Sequence, residues 1–291
     1  MPRPISRELR TAGRWWLAVV ALRLKRARAD VHGLRSVRAV LTDDQLATFA
    51  RDGFLVVPDV VDASLISAAH DEIDHVIASA PPAPDATFKH FYFLPPARLP
   101  AAHAALIESG ALAVAEELTA PESLVPFFDH IQIALNIPRY HHHPGGPHID
   151  GHGRQHPDQT TPDSFTLLAG IFLSDESTVD SGNVWMWPGS HLVHERLFRE
   201  RGTDVLMANG GHITMLDDPP PLGDPVPVLG HAGDLLLAHF LLGHNSGGNL
   251  TDRVRRMLYY RLGCPDHRAR WATTFTDAFT EFAPLRRFRS R

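Results

Sequence analysis

The second half of the sequence constrains the fold most, because short β-prone runs follow one another there. From Val125 onward, turn residues separate seven such runs. They are FFDHIQIALNI, SFTLLAGIFL, NVWMWP, HITML, DPVPVL, DLLLAHFLL and RVRRMLYYRL. This pattern is typical of an antiparallel sandwich or barrel.

The segment before residue 125 is predicted to be mainly helical. LTDDQLATFARDGFLVVPDVV contains a capping box, with Thr42 as the N-cap and Gln45 at position N3, and Gly53 separates this helix from a β-rich run. DASLISAAHDEIDHVIAS places apolar residues on one helical face, and AALIESGALAVAEEL predicts a further helix. The proline-bounded stretch PPAPDATFKHFYFLPP is interpreted as a connection, and WATTFTDAFTEFAPL predicts a C-terminal helix.

These elements predict a mainly β domain with flanking helices, an α+β class, over residues 41–265. A basic extension over residues 1–40 precedes it, and a helical tail over residues 266–291 follows. A chain of 291 residues is long enough to bury a substantial core. The single cysteine, Cys264, excludes an internal disulfide and favours a reducing, cytoplasmic compartment.

The charge of the chain bears on its partners. A net charge of −5 gives no electrostatic reason to expect nucleic acid as a partner. The basic extension contains the apolar run WWLAVVAL, which is too short to cross a bilayer, since a spanning helix needs about 20 residues. A basic helix docked on a membrane surface is an alternative. We prefer a packed or mobile extension without membrane contact.

The stretch GPHIDGHGRQH, residues 146–156, suggests a metal site. His148 and Asp150 are two residues apart, so in a strand both side chains project to the same side. His244, at the end of the apolar run GDLLLAHFLLGH, is the candidate third ligand. Two histidines and one carboxylate form the facial ligand set of non-haem Fe(II) oxygenases, which leaves open positions for a co-substrate and O2.

A 2-oxo acid bound at such a metal needs a cation for its far carboxylate, and arginine offers two-point geometry for that purpose. Arg255 follows His244 by eleven residues. Arg253 and Arg256 are rivals that spacing alone does not exclude.

Four stretches together resemble the phytanoyl-CoA dioxygenase family of Fe(II)- and 2-oxoglutarate-dependent oxygenases, from about Leu41 to Gly263. They are LTDDQLATFARDGFLVVPDVV, QIALNIPR with PHID, SGNVWMWPGSH, and GDLLLAHFLLGHNSGGNLTDRVR. The resemblance implies a double-stranded β-helix (jelly roll, cupin-like) with iron at its mouth. It implies that His148, Asp150 and His244 bind the iron. It also selects His244 over His239, and it selects Arg255 as the residue that binds the carboxylate of 2-oxoglutarate.

The same resemblance implies further pocket residues. Ser246 is expected to add a hydroxyl to that carboxylate, while Gln132 and Asn136 line the substrate or oxoglutarate pocket. Some family members have a lysine where this chain has Pro138. Lys89, one of two lysines in the chain, is a candidate replacement, although a surface lysine is the commoner case.

The remaining histidines and two tryptophans have plainer expected roles. A mobile loop over the iron mouth is expected to contain His141, His142, His143, His152 and His156. His191 is expected in a turn. Trp185 and Trp187 are expected on one face of a core strand.

The resemblance implies an Fe(II)/2-oxoglutarate-dependent dioxygenase that hydroxylates a small or lipid-like organic substrate and converts 2-oxoglutarate and O2 to succinate and CO2. One alternative is a non-catalytic metal-binding scaffold or sensor of the same fold. A halogenase is disfavoured, because halogenases resembling this family have a small residue in place of the carboxylate ligand, and here that ligand is Asp150. In a zinc hydrolase, which the ligand set also suits, Arg255 would have no role.

Overall fold

The computed structural model describes residues 41–150, 164–205 and 218–289, which contain ten strands and six α-helices. The strands are β1 (Phe54–Val57), β2 (Phe88–Leu94), β3 (Val125–Pro126), β4 (Ile131–Ile137), β5 (Leu167–Phe172), β6 (Val184–Met186), β7 (Val226–Pro227), β8 (Leu235–His239), β9 (His244–Ser246) and β10 (Arg255–Gly263). The helices are α1 (Asp43–Asp52), α2 (Ala63–Ser79), α3 (Pro100–Ile107), α4 (Ala111–Glu116), α5 (Ser190–Arg201) and α6 (His267–Thr276). Short 3₁₀ helices span Pro96–Arg98 and Ala283–Phe288.

Two antiparallel sheets organise these strands. The larger sheet has the order β1-β8-β5-β10-β4-β2, with β3 also paired to β10, and the smaller sheet has the order β7-β6-β9. Every strand pair described is antiparallel. This is the double-sheet arrangement of a jelly roll with flanking helices. The predicted fold class is confirmed.

The two faces of the larger sheet have different neighbours. On one face, the Tyr260 hydroxyl donates to the Ala102 carbonyl in α3 at 2.6 Å, and the Tyr92 hydroxyl donates to the Ala80 carbonyl after α2 at 2.7 Å. On the other face, Met257 and Phe172 pack in one buried cluster with Met186 of the smaller sheet. Alternate residues of β10 therefore face either the helices or the space between the sheets, where the site lies.

Several local predictions are confirmed. The Gln45 amide donates to the Thr42 hydroxyl at 3.2 Å, and the Thr42 amide donates to the Gln45 side chain at 2.9 Å, which is the predicted capping box. Gly53 ends α1 at φ 83°, in the left-handed region that favours glycine. No helix in the described ranges is long and apolar enough to cross a membrane.

Other predictions were wrong in detail. The stretch interpreted as a connection contains β2, in which half-buried and exposed residues alternate and every residue pairs with β4. The single helix predicted over residues 104–118 is divided between α3 and α4, since Gly110 has a φ of 97°. His191 lies in the first turn of α5 and is buried, instead of occupying a turn.

The C-terminal helix begins at His267, four residues before the predicted start. The runs HITML and GHGRQH, with His152 and His156, lie outside the described residues, as does the extension over residues 1–40. The division into extension, domain and tail stays a prediction.

Candidate metal centre and co-substrate pocket

Three predicted ligands meet at the mouth between the sheets. His148 forms an isolated β-bridge with His244 at the start of β9, with amide-to-carbonyl distances of 3.1 and 3.0 Å. The Oδ1 atom of Asp150 lies 3.5 Å from Nε2 of His148 and 3.7 Å from Nε2 of His244. Three ligand atoms, one from each residue, lie within 4.8 Å of one another, close enough to bind one ion.

The protonation states suit a metal. Nδ1 of His244 lies 3.0 Å from the Leu242 carbonyl and donates to it, which leaves the lone pair on Nε2 for a metal. Burial lowers the pKa of His244 to about 4, so the imidazole is neutral at pH 7. Burial would raise the pKa of Asp150, but Arg261 and the two histidines hold it well below its ordinary value. A neutral imidazole and an ionised carboxylate are the forms that coordinate metal ions.

Arg261 belongs to this site, although the sequence analysis did not single it out. Its Nη2 donates to Oδ2 of Asp150, and its Nη1 donates to the side-chain oxygen of Gln132 at 2.9 Å. Arg261 follows Arg255 by six residues on β10, and an even spacing in a strand places both side chains on one face. In the sequence, this six-residue spacing from Arg255 was the signal that could have indicated Arg261 as a site residue. Gln132 therefore reaches the metal ligands through Arg261.

Arg255 lies buried on the same face of β10. Its Nε donates to the Gly182 carbonyl at 2.7 Å. Asn136, its register partner on β4, donates to the carbonyls of Gly182 at 3.3 Å and Gly247 at 2.8 Å. A Cβ at Gly182 would lie 2.9 Å from Cβ of Arg255 and 3.0 Å from Cβ of Asn136, so this close approach requires glycine.

Glu176 is the second residue that the sequence analysis missed. Its carboxyl is 0% exposed and lies 3.3 Å from Nε of Arg255, and neither oxygen has a hydrogen-bond partner in the described part of the chain. Burial raises the pKa of Glu176 to about 8, although the Arg255 guanidinium acts to lower it. At neutral pH the acid is mostly protonated, so the charge of Arg255 remains available for an incoming carboxylate.

Lys89 and Ser246 lie near this row. Lys89 on β2 is the register partner of Asn136, so Lys89, Asn136 and Arg255 follow one another across three neighbouring strands. Lys89 is exposed, and its ammonium lies 5.1 Å from the ring centroid of Phe88. Ser246 is two residues after His244 in β9, so both side chains project to one side.

Two other histidines lie away from the metal ligands. Nε2 of the buried His239 donates to the Ala278 carbonyl at 2.8 Å, and its Nδ1 accepts from the Leu241 amide at 3.0 Å. Both ring nitrogens are thus occupied. The ring of His191 is tilted against that of His239, with centroids 5.2 Å apart, and neither ring belongs to the cluster of metal ligands.

The described loop histidines contact aromatic rings. The ring of His142 lies 5.2 Å from that of Phe88, and the ring of His143 lies 5.6 Å from that of Trp185. Trp187 is buried in agreement with its predicted core position, whereas Trp185 is half-buried beneath the His143 segment.

Comparison with known proteins identifies the family. The family model described as phytanoyl-CoA dioxygenase matches residues 49–257, more than two thirds of the chain. The chain belongs to the phytanoyl-CoA dioxygenase family. The resemblance found in the sequence is therefore confirmed, and no curated protein matched the chain.

Solved structures share the fold of this family member. The non-haem α-ketoglutarate-dependent carbocyclase SnoK from nogalamycin biosynthesis superposes with a TM-score of 0.58 at 19% identity, covering 82% of this chain and 94% of SnoK. The epimerase SnoN from the same biosynthesis gives 0.55 at 23% identity, with 76% and 82% covered. HygX from Streptomyces hygroscopicus, solved with nickel and 2-oxoglutarate, gives 0.53 at 20% identity, with 78% and 88% covered.

Proposed function

We propose that this protein is an Fe(II)- and 2-oxoglutarate-dependent dioxygenase that hydroxylates a small or lipid-like organic substrate. The observation that carries the proposal is the cluster of His148, Asp150 and His244, because it is the facial ligand set of non-haem iron oxygenases. Bound there, iron with 2-oxoglutarate and O2 supplies the oxidising chemistry, and succinate and CO2 are the by-products.

The residues beside the cluster suit 2-oxoglutarate. Arg255 is a buried guanidinium beside a mostly neutral Glu176, and such a site stabilises a desolvated carboxylate by charge-assisted hydrogen bonds. Ser246 adds a hydroxyl on the side of β9 that also carries His244. Asn136 and Lys89 continue the row across β4 and β2 and supply further polar contacts. These residues would bind and orient the co-substrate, while Gln132 and Arg261 hold Asp150.

Hydroxylation is the outcome that we propose for the substrate. SnoK is described as a carbocyclase and SnoN as an epimerase, so the shared fold also accommodates ring closure and epimerisation. Analysis of the product distinguishes these reactions, because only hydroxylation adds an oxygen atom to the substrate. We also propose a cytoplasmic location and a small-molecule substrate, without a nucleic-acid partner.

The rival functions make different use of the same residues. A halogenase needs a vacant position in place of the carboxylate ligand, and Asp150 fills it. A zinc hydrolase accounts for the three ligands but not for the buried pair of Arg255 and Glu176. A non-catalytic scaffold or sensor would bind the metal without consuming 2-oxoglutarate.

Anaerobic titration with 2-oxoglutarate tests the proposal. The Fe(II)-loaded protein is expected to develop the visible metal-to-ligand band of a chelated 2-oxo acid, which the zinc-loaded protein lacks. Arg255→Leu is expected to weaken 2-oxoglutarate binding by about 2–5 kcal/mol, because one partner of a desolvated charge pair is lost. Iron affinity should stay within error, since Arg255 is not a ligand.

Arg256→Leu is the matched control. Arg256 projects to the opposite face of β10, where its Nη2 lies 2.7 Å from Asp74. His244→Ala should abolish iron binding, and His239→Ala should preserve it. Failure of 2-oxoglutarate to bind the iron-loaded protein at millimolar concentration would favour the scaffold, and an equal loss in Arg255→Leu and Arg256→Leu would refute the role of Arg255.

A further inference from the structure

Strand β2 presents two phenylalanines to the face of the sheet that carries the site. Phe91 is the register partner of Ala134, and Phe93 is the register partner of Gln132. Opposed residues of an antiparallel pair project to the same face of the sheet. The side chains of Phe91 and Phe93 therefore lie on the face occupied by Gln132, which bonds Arg261 and through it Asp150.

These two rings are unusually exposed. Phe91 is 39% and Phe93 51% exposed, with ring centroids 6.2 Å apart. Among the described strands β2 pairs only with β4, so the rings lie at the open edge of the larger sheet. Adjacent exposed aromatic side chains are typical of a ligand-binding surface, since burying each ring is worth roughly 1.5–3 kcal/mol.

Further rings extend this surface along the mouth. His130 lies edge-on to Phe93 at a centroid distance of 5.2 Å and is stacked on Phe128 at 5.6 Å with an interplanar angle of 9°. We name Phe91, Phe93, His130 and Phe128 the aromatic strip. Gln132, the register partner of Phe93, is hydrogen-bonded to Arg261, and Arg261 is hydrogen-bonded to the candidate metal ligand Asp150.

The charges around the aromatic strip indicate the chemistry of its ligand. Burial and the charge of Arg261 lower the pKa of His130, so its ring is neutral at pH 7. Arg261 is occupied by Asp150 and Gln132, while the exposed carboxylate of Asp129 lies 4.0 Å from His130. Lys89, two residues before Phe91 on the same face of β2, is a single exposed cation, whereas a phosphate-rich group such as coenzyme A needs several. The strip instead favours flat, uncharged rings, which stack or pack edge-on against aromatic side chains.

We propose that the aromatic strip is the substrate-binding wall and that the substrate is an uncharged molecule with a flat, apolar ring system. The proposal rests on the proposed function, because it places the ring system beside the metal at which oxidation would occur. Phe91 and Phe93 then determine specificity without contacting the metal or 2-oxoglutarate.

Binding of N-phenyl-1-naphthylamine, an uncharged fluorescent probe with flat rings, tests the proposal on the full-length protein. Phe93→Ser and Phe91→Ser are expected to weaken probe binding roughly 3- to 10-fold, as the loss of an aromatic contact implies. Val179→Ser, which alters an exposed apolar residue outside the strip, should leave the affinity unchanged. Equal probe affinity in the wild type and both phenylalanine variants would overturn the proposal.

A second measurement locates the probe. With Mn(II) bound at the metal site, the NMR lines of the bound probe should broaden, and His244→Ala should remove the broadening without removing probe binding. Bound probe that is not broadened by bound Mn(II) contradicts a position beside the metal. Phe93→Ser should bind 2-oxoglutarate as tightly as the wild type does. The two proposals can therefore fail separately: if the wild type does not bind 2-oxoglutarate, the proposed function is refuted, whatever the probe shows.

Two further outcomes would assign the strip to another occupant. Sedimentation showing a wild-type dimer that becomes a monomer in Phe93→Ser would make the strip a self-association surface. In the second outcome, palmitoyl-CoA displaces the probe from the wild type and binds the double variant Phe91→Ser, Phe93→Ser with the affinity that it has for the wild type. That result would contradict an uncharged ligand with flat rings.

Discussion

Among single residues, Glu176 shows how burial moves the titration of one carboxyl group into the neutral pH range. Its carboxyl is fully buried 3.3 Å from Nε of Arg255. Because burial raises the pKa of Glu176 from 4.5 to about 8, the folded state retains a proton that the unfolded state loses. Stability from this group is complete below pH 4.5 and is lost as the pH rises toward 8.

Glu176→Gln should remove this pH dependence. The free energy of unfolding of Glu176→Gln minus that of the wild type should increase by about 3–5 kcal/mol between pH 4.5 and pH 8. The wild type loses stability over this range because Glu176 ionises, whereas glutamine cannot ionise. Urea denaturation of both proteins between pH 4.5 and 8.5 measures the difference. Asp175→Asn is the control, since the pKa of that exposed carboxyl is lowered. A difference between Glu176→Gln and wild type that is constant with pH would contradict the assignment.

Among the elements, α1 shows how a local signal sets a boundary. The capping box of Thr42 and Gln45 satisfies amides at the start of α1, and Gly53 ends the helix, where its carbonyl accepts from the His239 amide at 2.8 Å. A Cβ at Gly53 would lie 2.5 Å from Nδ1 of His191, so this turn is also fitted to α5.

Thr42→Ala should destabilise the protein by about 1 kcal/mol, because the amide of Gln45 loses its acceptor. Thr42→Ser retains the hydroxyl and should lose much less. Urea denaturation of the two variants at one pH compares them. Equal losses would show that the methyl group of Thr42, and not the cap, stabilises this end of α1.

Across the whole molecule, the C-terminal segment is joined to the β core by a buried polar network. Nδ1 of His267 lies 2.7 Å from Oε2 of Glu281, and the Thr166 hydroxyl donates to the same oxygen at 2.5 Å. Nε2 of His267 lies 2.7 Å from the Ser164 hydroxyl, and Arg270 lies 3.1 Å from the other oxygen of Glu281. All but Arg270 are buried, so the network serves packing between the chain end and β5.

Glu281→Leu should therefore cost about 3–5 kcal/mol of the free energy of unfolding, since it leaves buried polar partners without their acceptor. Asp277→Asn, in the same segment but at an exposed ion pair with Arg289, should change stability by less than about 0.5 kcal/mol. Equilibrium denaturation monitors both variants. Similar small losses in the two would mean that the tail contributes little to the stability of the core.

Features formed by residues close together in the sequence could be predicted from local spacing, and features formed by residues far apart could not. The candidate ligands His148 and Asp150 lie two positions apart, and Thr42 and Gln45 of the capping box lie three positions apart, so local spacing was enough to suggest both. Strand β2 was missed because flanking prolines indicated a connection, whereas its pairing with β4 decides its conformation.

The sequence by itself indicated α1 with its cap, most strands after residue 125 and the pair His148 and Asp150, because these depend on residue type and short spacing. The motifs that carry the family resemblance supplied the family and the third candidate ligand, His244. Only the tertiary structure decided which side chains surround the ligands. Arg261 and Asp150 are 111 residues apart, and Arg255 reaches the Gly182 carbonyl across 73 residues. The order and register of the paired strands decide which distant segments become neighbours. The residue pattern within one segment does not specify which other segment will pair with it.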